Sequence, residues 1–378
     1  MTDASTALQQ RAPRRVAIIG TGLIGASLGL ALRRLVDIDA VVGYDADEGE
    51  LATALRRGAV TEAAPSAPAA AEGADLVVLA VPVSAVGAAA AEVGPALAPG
   101  ALLTDVASVK ASVVEALQRA APAHAHVIGG HPMAGSHEVG AAHASAELFV
   151  GATYLLTPTT YTDPLAFGRL HALVTRLGAR PLAVAPERHD LLVAVVSHLP
   201  QLAATTLMNL ASERAREEHA GLLLLAAGGF RDATRVAASN PDLWLEIVRE
   251  NRAAITAVLD DYAAHVADLR TALAAADDEG LREVLDRARA ARRALPGKEV
   301  PSGTLVELLV AIPDRPGVLA EVTTTVGAVP VNIEDLSIEH AAEGGRGQLR
   351  LLIAGVEAAG AARAALAACG HEVWERVP

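Results

Sequence analysis

From Arg15 onward the chain alternates short, continuously apolar runs with longer amphipathic stretches. The runs cover residues 16–20, 40–44, 75–81, 101–105 and 126–130, and the stretches between them cover 23–35, 47–58, 84–97 and 109–121. A strand that is apolar at every position is buried on both faces. Helices that separate such strands supply the cover, so the spacing predicts a parallel sheet wrapped by helices. A further strand pair is expected at 152–157 and 180–184, flanking a helix at 164–177. Residues 63–74 are low in complexity and read as a loop or a poorly ordered helix, and residues 1–14 read as a disordered leader.

After Pro186 the period changes. Helical spacing runs through 191–212, 214–227, 242–275 and 279–294, with no convincing strand. A Pro/Gly/Lys/Glu/Ser segment from Leu295 to Gly303 reads as a linker. Beyond it, strand 304–312, helix 317–326, strands 331–340 and 348–354, helix 357–369 and strand 371–377 make a β-α-β-β-α-β, ferredoxin-like order. The expected organisation is therefore an α/β Rossmann domain (15–185), an all-α domain (186–295), a linker (296–302) and a small α+β domain (303–378).

Composition narrows the function. The 378 residues are 52% hydrophobic but only 2% aromatic, so the core is built from Ala, Val and Leu. Lys plus Arg is 31 and Asp plus Glu is 44, a net charge of −13, which argues against nonspecific grip on nucleic acid. Cys369 is the only cysteine, so neither an intrachain disulfide nor a Cys-cluster metal site is expected, and a reducing cytoplasm fits. The mean hydropathy of +0.34 raises the question of a membrane. The longest uncharged stretch, 191–212, is long enough to span one, but Ser197, His198, Pro200 and Gln201 interrupt it. A buried helix is the expectation, without membrane or secretory signal.

Gly20, Gly22 and Gly25, with Leu23 and Ile24 between them, follow the first strand and open the first helix. In that context the spacing is a dinucleotide fingerprint. The glycines allow a tight turn, a close backbone approach to pyrophosphate and tight helix packing, and phosphate rests on the helix N-terminus. Asp45 closes the second strand, where an acid binds the ribose 2′-OH; a carboxylate there repels a 2′-phosphate and so favours NAD over NADP. The strand ending at Val81 and Pro82 is expected beside the cofactor, because ligands lie outside the carboxyl ends of strands in such sheets.

Two other strand ends carry polar groups, Thr104 to Lys110 and Gly129 to His137. His131 is placed there to take an alcohol proton as hydride leaves, and Ser108 to bond the same oxygen or orient the imidazole. Asp105 and Lys110 read either as a cap and a solvated charge or as a specific need for an ammonium. Lys110 is one of two lysines, with Lys298, in an Arg-biased chain. His198 interrupts an apolar helix and by itself reads as a core histidine bonded to backbone. Arg231 and Arg235 are four apart, hence on one face if helical, and suit a dicarboxylate. An Arg–Asp surface pair through Asp232 is the other reading.

Taken together, residues 20–28, Asp45, 104–110, 131–136, 197–201 and 228–244 resemble, in that order, the prephenate dehydrogenase family of tyrosine biosynthesis. The resemblance covers residues 15–295. It implies NAD-dependent oxidation and decarboxylation of prephenate to 4-hydroxyphenylpyruvate by a homodimer joined through the helical domain. It implies that His131 bonds the ring hydroxyl, Ser108 holds that hydroxyl and His131, His198 lies at the substrate, and Arg235 grips a carboxylate. Arg231 and Trp244 match neighbouring active-site positions, and His137 lies where members differ. The C-terminal segment resembles an ACT domain, which implies control by an amino acid, tyrosine, near Asp314, Gly317 and Asn332. Arogenate is the alternative substrate. A non-catalytic sensor of NAD and amino acid is the alternative of another class. No metal is expected.

Overall fold

A computed structural model describes residues 13–135, 138–217, 221–294, 305–313, 318–329, 331, 333–340 and 346–376. The chain divides into two compact units, Met1–Ala276 and Asp277–Pro378.

The first unit is built on a parallel sheet of β1 (Arg15–Ile19), β2 (Ala40–Tyr44), β3 (Glu62–Ala63), β4 (Leu76–Leu79), β5 (Leu102–Asp105) and β6 (His126–Val127), in the order β3-β2-β1-β4-β5-β6. This is the doubly wound order of dinucleotide-binding folds, with its switch point beside β1. The continuous apolar runs are explained by burial on both sides. Strand β1 sends Val16 and Ile18 into one core layer and Ala17 and Ile19 into the other. Strand β4 divides Leu76 and Val78 from Val77 and Leu79 in the same way.

Two local expectations change. Residues 63–74 give β3 and a short helix, Ala67–Ala71, capped by Ser66, whose Oγ accepts from the Ala69 N–H at 3.3 Å. Its buried Ala67, Ala70 and Ala71 are small enough to let it lie close on the sheet. The run 126–130 is not one strand. After β6 the backbone N–H of Gly130 goes to the Asp105 carboxylate, at 3.1 Å, instead of to a neighbouring strand. That ends the parallel ladder. The chain continues as β7 (Gly129–Pro132), antiparallel to β8 (Thr153–Thr157), which pairs in parallel with β9 (Arg180–Ala183) across the helix Pro164–Arg176.

The rest of this unit is helical. Pro186–Glu217 runs as Pro186–Val193, a π-helical turn Ala194–His198, and Leu199–Glu217. Among the described residues it is the one helix long and apolar enough to cross a membrane. His189, Asp190, His198 and Gln201 on it are buried, but Leu191, Leu192, Val195 and Val196 are exposed, so it is only partly the buried helix expected. The helix expected over 214–227 is instead the end of this one, followed by a 3₁₀ turn, Leu222–Leu225. The helix expected over 242–275 is two, Pro241–Glu250 and Arg252–Ala274, broken at Asn251. Asn251 turns its side chain inward to hydrogen-bond partners on the Pro186–Glu217 helix, and its backbone (φ −108°, ψ 27°) leaves the helical range.

The second unit carries the helix Asp278–Ala294 and a four-stranded antiparallel sheet. Its strands are β10 (Leu305–Pro313), β11 (Ile333–His340), β12 (Arg346–Ala354) and β13 (Val373–Arg376), ordered β11-β12-β10-β13. The helices Val318–Gly327 and Val356–Ala368 complete the expected β-α-β-β-α-β order. Val306, Leu308, Val310, Leu349, Leu351 and Ile353 form its core with Val322, Val326 and Leu366.

With so few aromatics, the core depends on those present. Phe149 is 1% exposed and packs 6.4 Å, centroid to centroid, from Tyr154. Phe149→Ala is expected to cost about 3–5 kcal/mol, from lost transfer energy and the cavity left behind. A lowered urea midpoint with an unchanged slope would register it.

Candidate active site

The Gly-rich turn has the shape the spacing requires. Gly20 donates its N–H to the Tyr44 carbonyl at 2.8 Å, tying the turn to the end of β2. A Cβ on Gly25 would lie 1.9 Å from the Gly20 carbonyl oxygen, so only glycine lets the helix Leu23–Leu32 start so close to the strand. Gly22, by contrast, faces open space, and as N-cap of that helix it supplies no side chain to the first N–H groups. Those free donors with room above them fit a pyrophosphate. Asp45 is not the cap of the next helix; Asp47 is, accepting from the Gly49 N–H at 2.8 Å. Asp45 instead accepts from the Thr21 N–H at 2.6 Å, which sets its carboxylate beside the turn. Val81 and Pro82 follow β4, and Val81 lies against Gly20.

A buried polar cluster adjoins the carboxyl end of β5. Asp105 and Lys110 are both fully buried and form an ion pair, so the reading of cap and solvated charge is corrected. The Asp105 carboxylate also accepts from the Ala107 N–H at 2.9 Å and the Gly130 N–H. A Cβ on Gly130 would lie 2.6 Å from the Asp105 carbonyl oxygen, so β7 can pass this close only as glycine. His131 is the next residue. It is an interior member of β7, paired with Leu155 on β8, rather than the end of a parallel strand.

His131 Nδ1 lies 2.9 Å from His189 Nε2, and His189 Nδ1 lies 2.8 Å from an Asp190 carboxylate oxygen. That carboxylate accepts the backbone N–H groups of Lys110 at 2.7 Å and Ala111 at 2.9 Å, at the start of the helix Ala111–Ala120. Burial first, then the Lys110 ammonium, holds His131 well below the ordinary histidine pKa, so it is neutral near pH 7. Its Nδ1 is taken by His189, which leaves Nε2 to act.

His198 ends the π-helical turn, only 1% exposed. Its partner is a side chain, not backbone: the Asn251 amide donates to its Nδ1 at 3.1 Å and to the Asp190 carbonyl at 2.9 Å. Trp244 meets its ring edge-on at a centroid distance of 5.9 Å. Burial, opposed by Asp190 and reinforced by His189, lowers its pKa to about 4. Ser108 is half-buried on the loop after β5.

The arginines are not brought into this cluster. Both are exposed, and Arg231 donates to the Ala226 carbonyl at 3.1 Å. Their shared helix face is also corrected: the helix Gly228–Thr234 ends before Arg235, which begins a 3₁₀ turn. His137, Asp314, Gly317 and Asn332 lie outside the described residues.

Residues 28–183 match the family model of the prephenate dehydrogenase nucleotide-binding domain, and residues 185–287 that of the prephenate dehydrogenase dimerization domain. A prephenate dehydrogenase of Bacillus subtilis (strain 168) is 32% identical over 340 residues, covering 89% of this chain and 91% of that protein. The chain belongs to the prephenate dehydrogenase family. Its fold resembles that of the Aquifex aeolicus prephenate dehydrogenase solved with hydroxyphenyl propionate and NAD+, with TM-score 0.70, 28% identity and coverage of 75% of this chain and 98% of that one. It also resembles the Synechocystis arogenate dehydrogenase, with TM-score 0.66, 32% identity and coverage of 74% and 99%. About a quarter of this chain thus has no counterpart in either solved structure.

Within this member of the prephenate dehydrogenase family, sequence reading passed over His189, Asp190 and Asn251. The adjacent His189 and Asp190, just before an uncharged run, were the available signal. Asn251 sits between Glu250 and Arg252 and gave none.

The two helix-side glycines separate packing from binding. Gly25→Ala is expected to lower both thermal stability and dinucleotide affinity. Gly22→Ala is expected to leave the melting temperature within about 2 °C, as for a surface change, while weakening the dinucleotide. Thermal melts and dinucleotide titrations of both variants check this.

Proposed function

We propose that the protein oxidises prephenate with NAD, releasing CO2 and giving 4-hydroxyphenylpyruvate in L-tyrosine biosynthesis. The observation that carries this reading is a neutral, buried His131 beside the carboxyl end of β5, in a sheet whose switch point bears an open glycine turn. Gly20, Gly22, Leu23, Ile24 and Gly25 would hold the pyrophosphate, Asp45 the ribose, and Val81 and Pro82 would flank the cofactor. Bound there, NAD supplies the hydride acceptor.

His131 Nε2 takes the proton of the ring hydroxyl as the hydrogen on the same carbon leaves with its electron pair, so that C–OH becomes C=O. The ring carboxylate then departs as CO2. Its bonding pair enters the ring, which becomes aromatic, and the oxygen takes back a proton from His131. Aromatisation makes the sequence irreversible, so the protein's task is to orient the ring, move one proton and anchor two carboxylates. Ser108 is assigned to the hydroxyl. His198 and Arg235 are assigned to the substrate, with Arg235 gripping a carboxylate through its planar fork. Arg231 and Trp244 take neighbouring positions.

The protein works as a cytoplasmic homodimer joined through the helical part, without membrane, nucleic acid or metal. The exposed Leu191, Leu192, Val195 and Val196 on the Pro186–Glu217 helix support that partner. The β-α-β-β-α-β module supports an ACT domain that binds tyrosine as effector. The likeness to the Synechocystis structure favours arogenate as the second reading.

Prephenate and arogenate, assayed side by side with NAD and NADP, are expected to give the highest kcat/KM for prephenate with NAD; a preference for arogenate selects the second reading. His131→Asn is expected to lower kcat by about 10²–10⁴, the worth of a positioned base, with KM little changed; near-normal turnover by a folded variant removes His131 from the chemistry. Deleting residues 303–378 is expected to abolish inhibition by tyrosine while activity remains. Persisting inhibition would place tyrosine in the active site.

A further inference from the structure

Three buried side chains form a line that the proposed reaction does not itself require. His131 Nδ1 lies 2.9 Å from His189 Nε2, and His189 Nδ1 lies 2.8 Å from Asp190 Oδ1. His189 is fully buried, Asp190 7% exposed and His131 9% exposed. Asp190 is anchored at both oxygens by the N–H groups of Lys110 and Ala111.

The protons along this line can be placed. Burial works against the Asp190 charge, but hydrogen bonds from His189 and from the Ala111 and Lys110 N–H groups outweigh it, and its pKa falls below the usual carboxylate value. An ionised carboxylate only accepts, so His189 Nδ1 carries the hydrogen. With its one ring hydrogen held at Nδ1 by Asp190, His189 would present Nε2 as a lone pair. In that arrangement the hydrogen between the two rings belongs to His131 Nδ1, and His131 Nε2 is left bare. The other charged or titratable groups facing His131 are the Lys110 ammonium, paired with Asp105, and His198; the ammonium opposes a second proton on the ring.

We propose that His189, backed by Asp190, is a positioning residue that fixes the His131 tautomer with Nδ1 protonated and so presents Nε2 as the base. With the opposite tautomer, Nε2 would carry hydrogen and could not accept the hydroxyl proton. The same logic governs any base histidine whose far nitrogen is held by a second group. The inference rests on the reading of His131 as the base.

The test uses the full-length protein. His189→Phe keeps a ring but offers no acceptor. It is expected to lower kcat for prephenate about 10- to 100-fold, part of the worth of a positioned base, with KM for prephenate and NAD unchanged. His189→Gln, whose amide oxygen can accept from His131 Nδ1, is expected to recover most of that loss. A His189→Phe protein with wild-type kcat, or a His189→Gln protein no better than Phe, overturns the proposal. Independently of folding in the variants, ¹⁵N NMR of the wild-type histidine rings, assigned with His131→Asn, is expected to show a protonated Nδ1 and bare Nε2 at His131 near pH 7. The reverse pattern overturns it. That spectrum decides the tautomer even if the wild type oxidises neither prephenate nor arogenate, so the two readings fail separately.

Discussion

Asp190 is a carboxylate in the protein interior, and a buried carboxylate persists as an ion only if hydrogen bonds replace water. Here two come from the backbone at the start of the helix after β5, one comes from His189, and the residue's own carbonyl accepts from Asn251. The donors belong to three different parts of the first unit: the parallel sheet's last crossover, the Pro186–Glu217 helix and the break before Arg252. Satisfying one charge therefore fixes how the helical part meets the nucleotide-binding part. Removing a donor to the carboxylate would leave an under-solvated charge in the interior, which costs more than the bond alone is worth. The second buried pair, Asp105 with Lys110, acts in the same way one turn earlier, where Asp105 also diverts Gly130 out of the parallel sheet.

That diversion matters for the chemistry. A strand that continued the parallel ladder after Val127 would carry residue 131 past the sheet's edge. Because Asp105 captures the Gly130 N–H, the chain turns into a second sheet and His131 is delivered into the crevice with its Nδ1 against His189. A structural carboxylate thus places the imidazole proposed as the base, and the glycine beside it is required by the closeness of the two strands.

What the sequence made legible was whatever depends on local pattern. The continuous apolar runs announced strands covered on both faces, and the glycine spacing announced the turn, because both effects act within a few residues. The split of residues 126–130 was not legible: nothing in that run differs from a longer strand, and the cause, Asp105, lies about 25 residues away in sequence. The break at Asn251 and the pairing of His189 with His131 were hidden for the same reason, since their partners come from distant segments. His198 was half legible. An imidazole inside an apolar helix signals a partner, but not that the partner is Asn251 on another helix or that a π-helical turn carries the ring.

The net charge of −13 also takes on a different meaning. An acidic protein is a poor ligand for nucleic acid, but the average says little about a cleft in which charges are few and close. Among the described residues around His131, the one buried cation, Lys110, is matched by Asp105, and His131 and His198 are both held neutral near pH 7. With that pair cancelled, the ionised Asp190 leaves the cluster negative before any ligand enters. A doubly charged carboxylate substrate then needs cations from outside the cluster, and the exposed Arg231 and Arg235, on a short helix and the turn after it, are the proposed source. In the proposed reaction, keeping the base neutral and the anchoring charges separate would let one site hold a dianion without protonating the imidazole that takes the proton. An anchoring cation moved into the cluster would lower the pKa of His131 further and weaken it as a base, so the separation follows from what the base has to do.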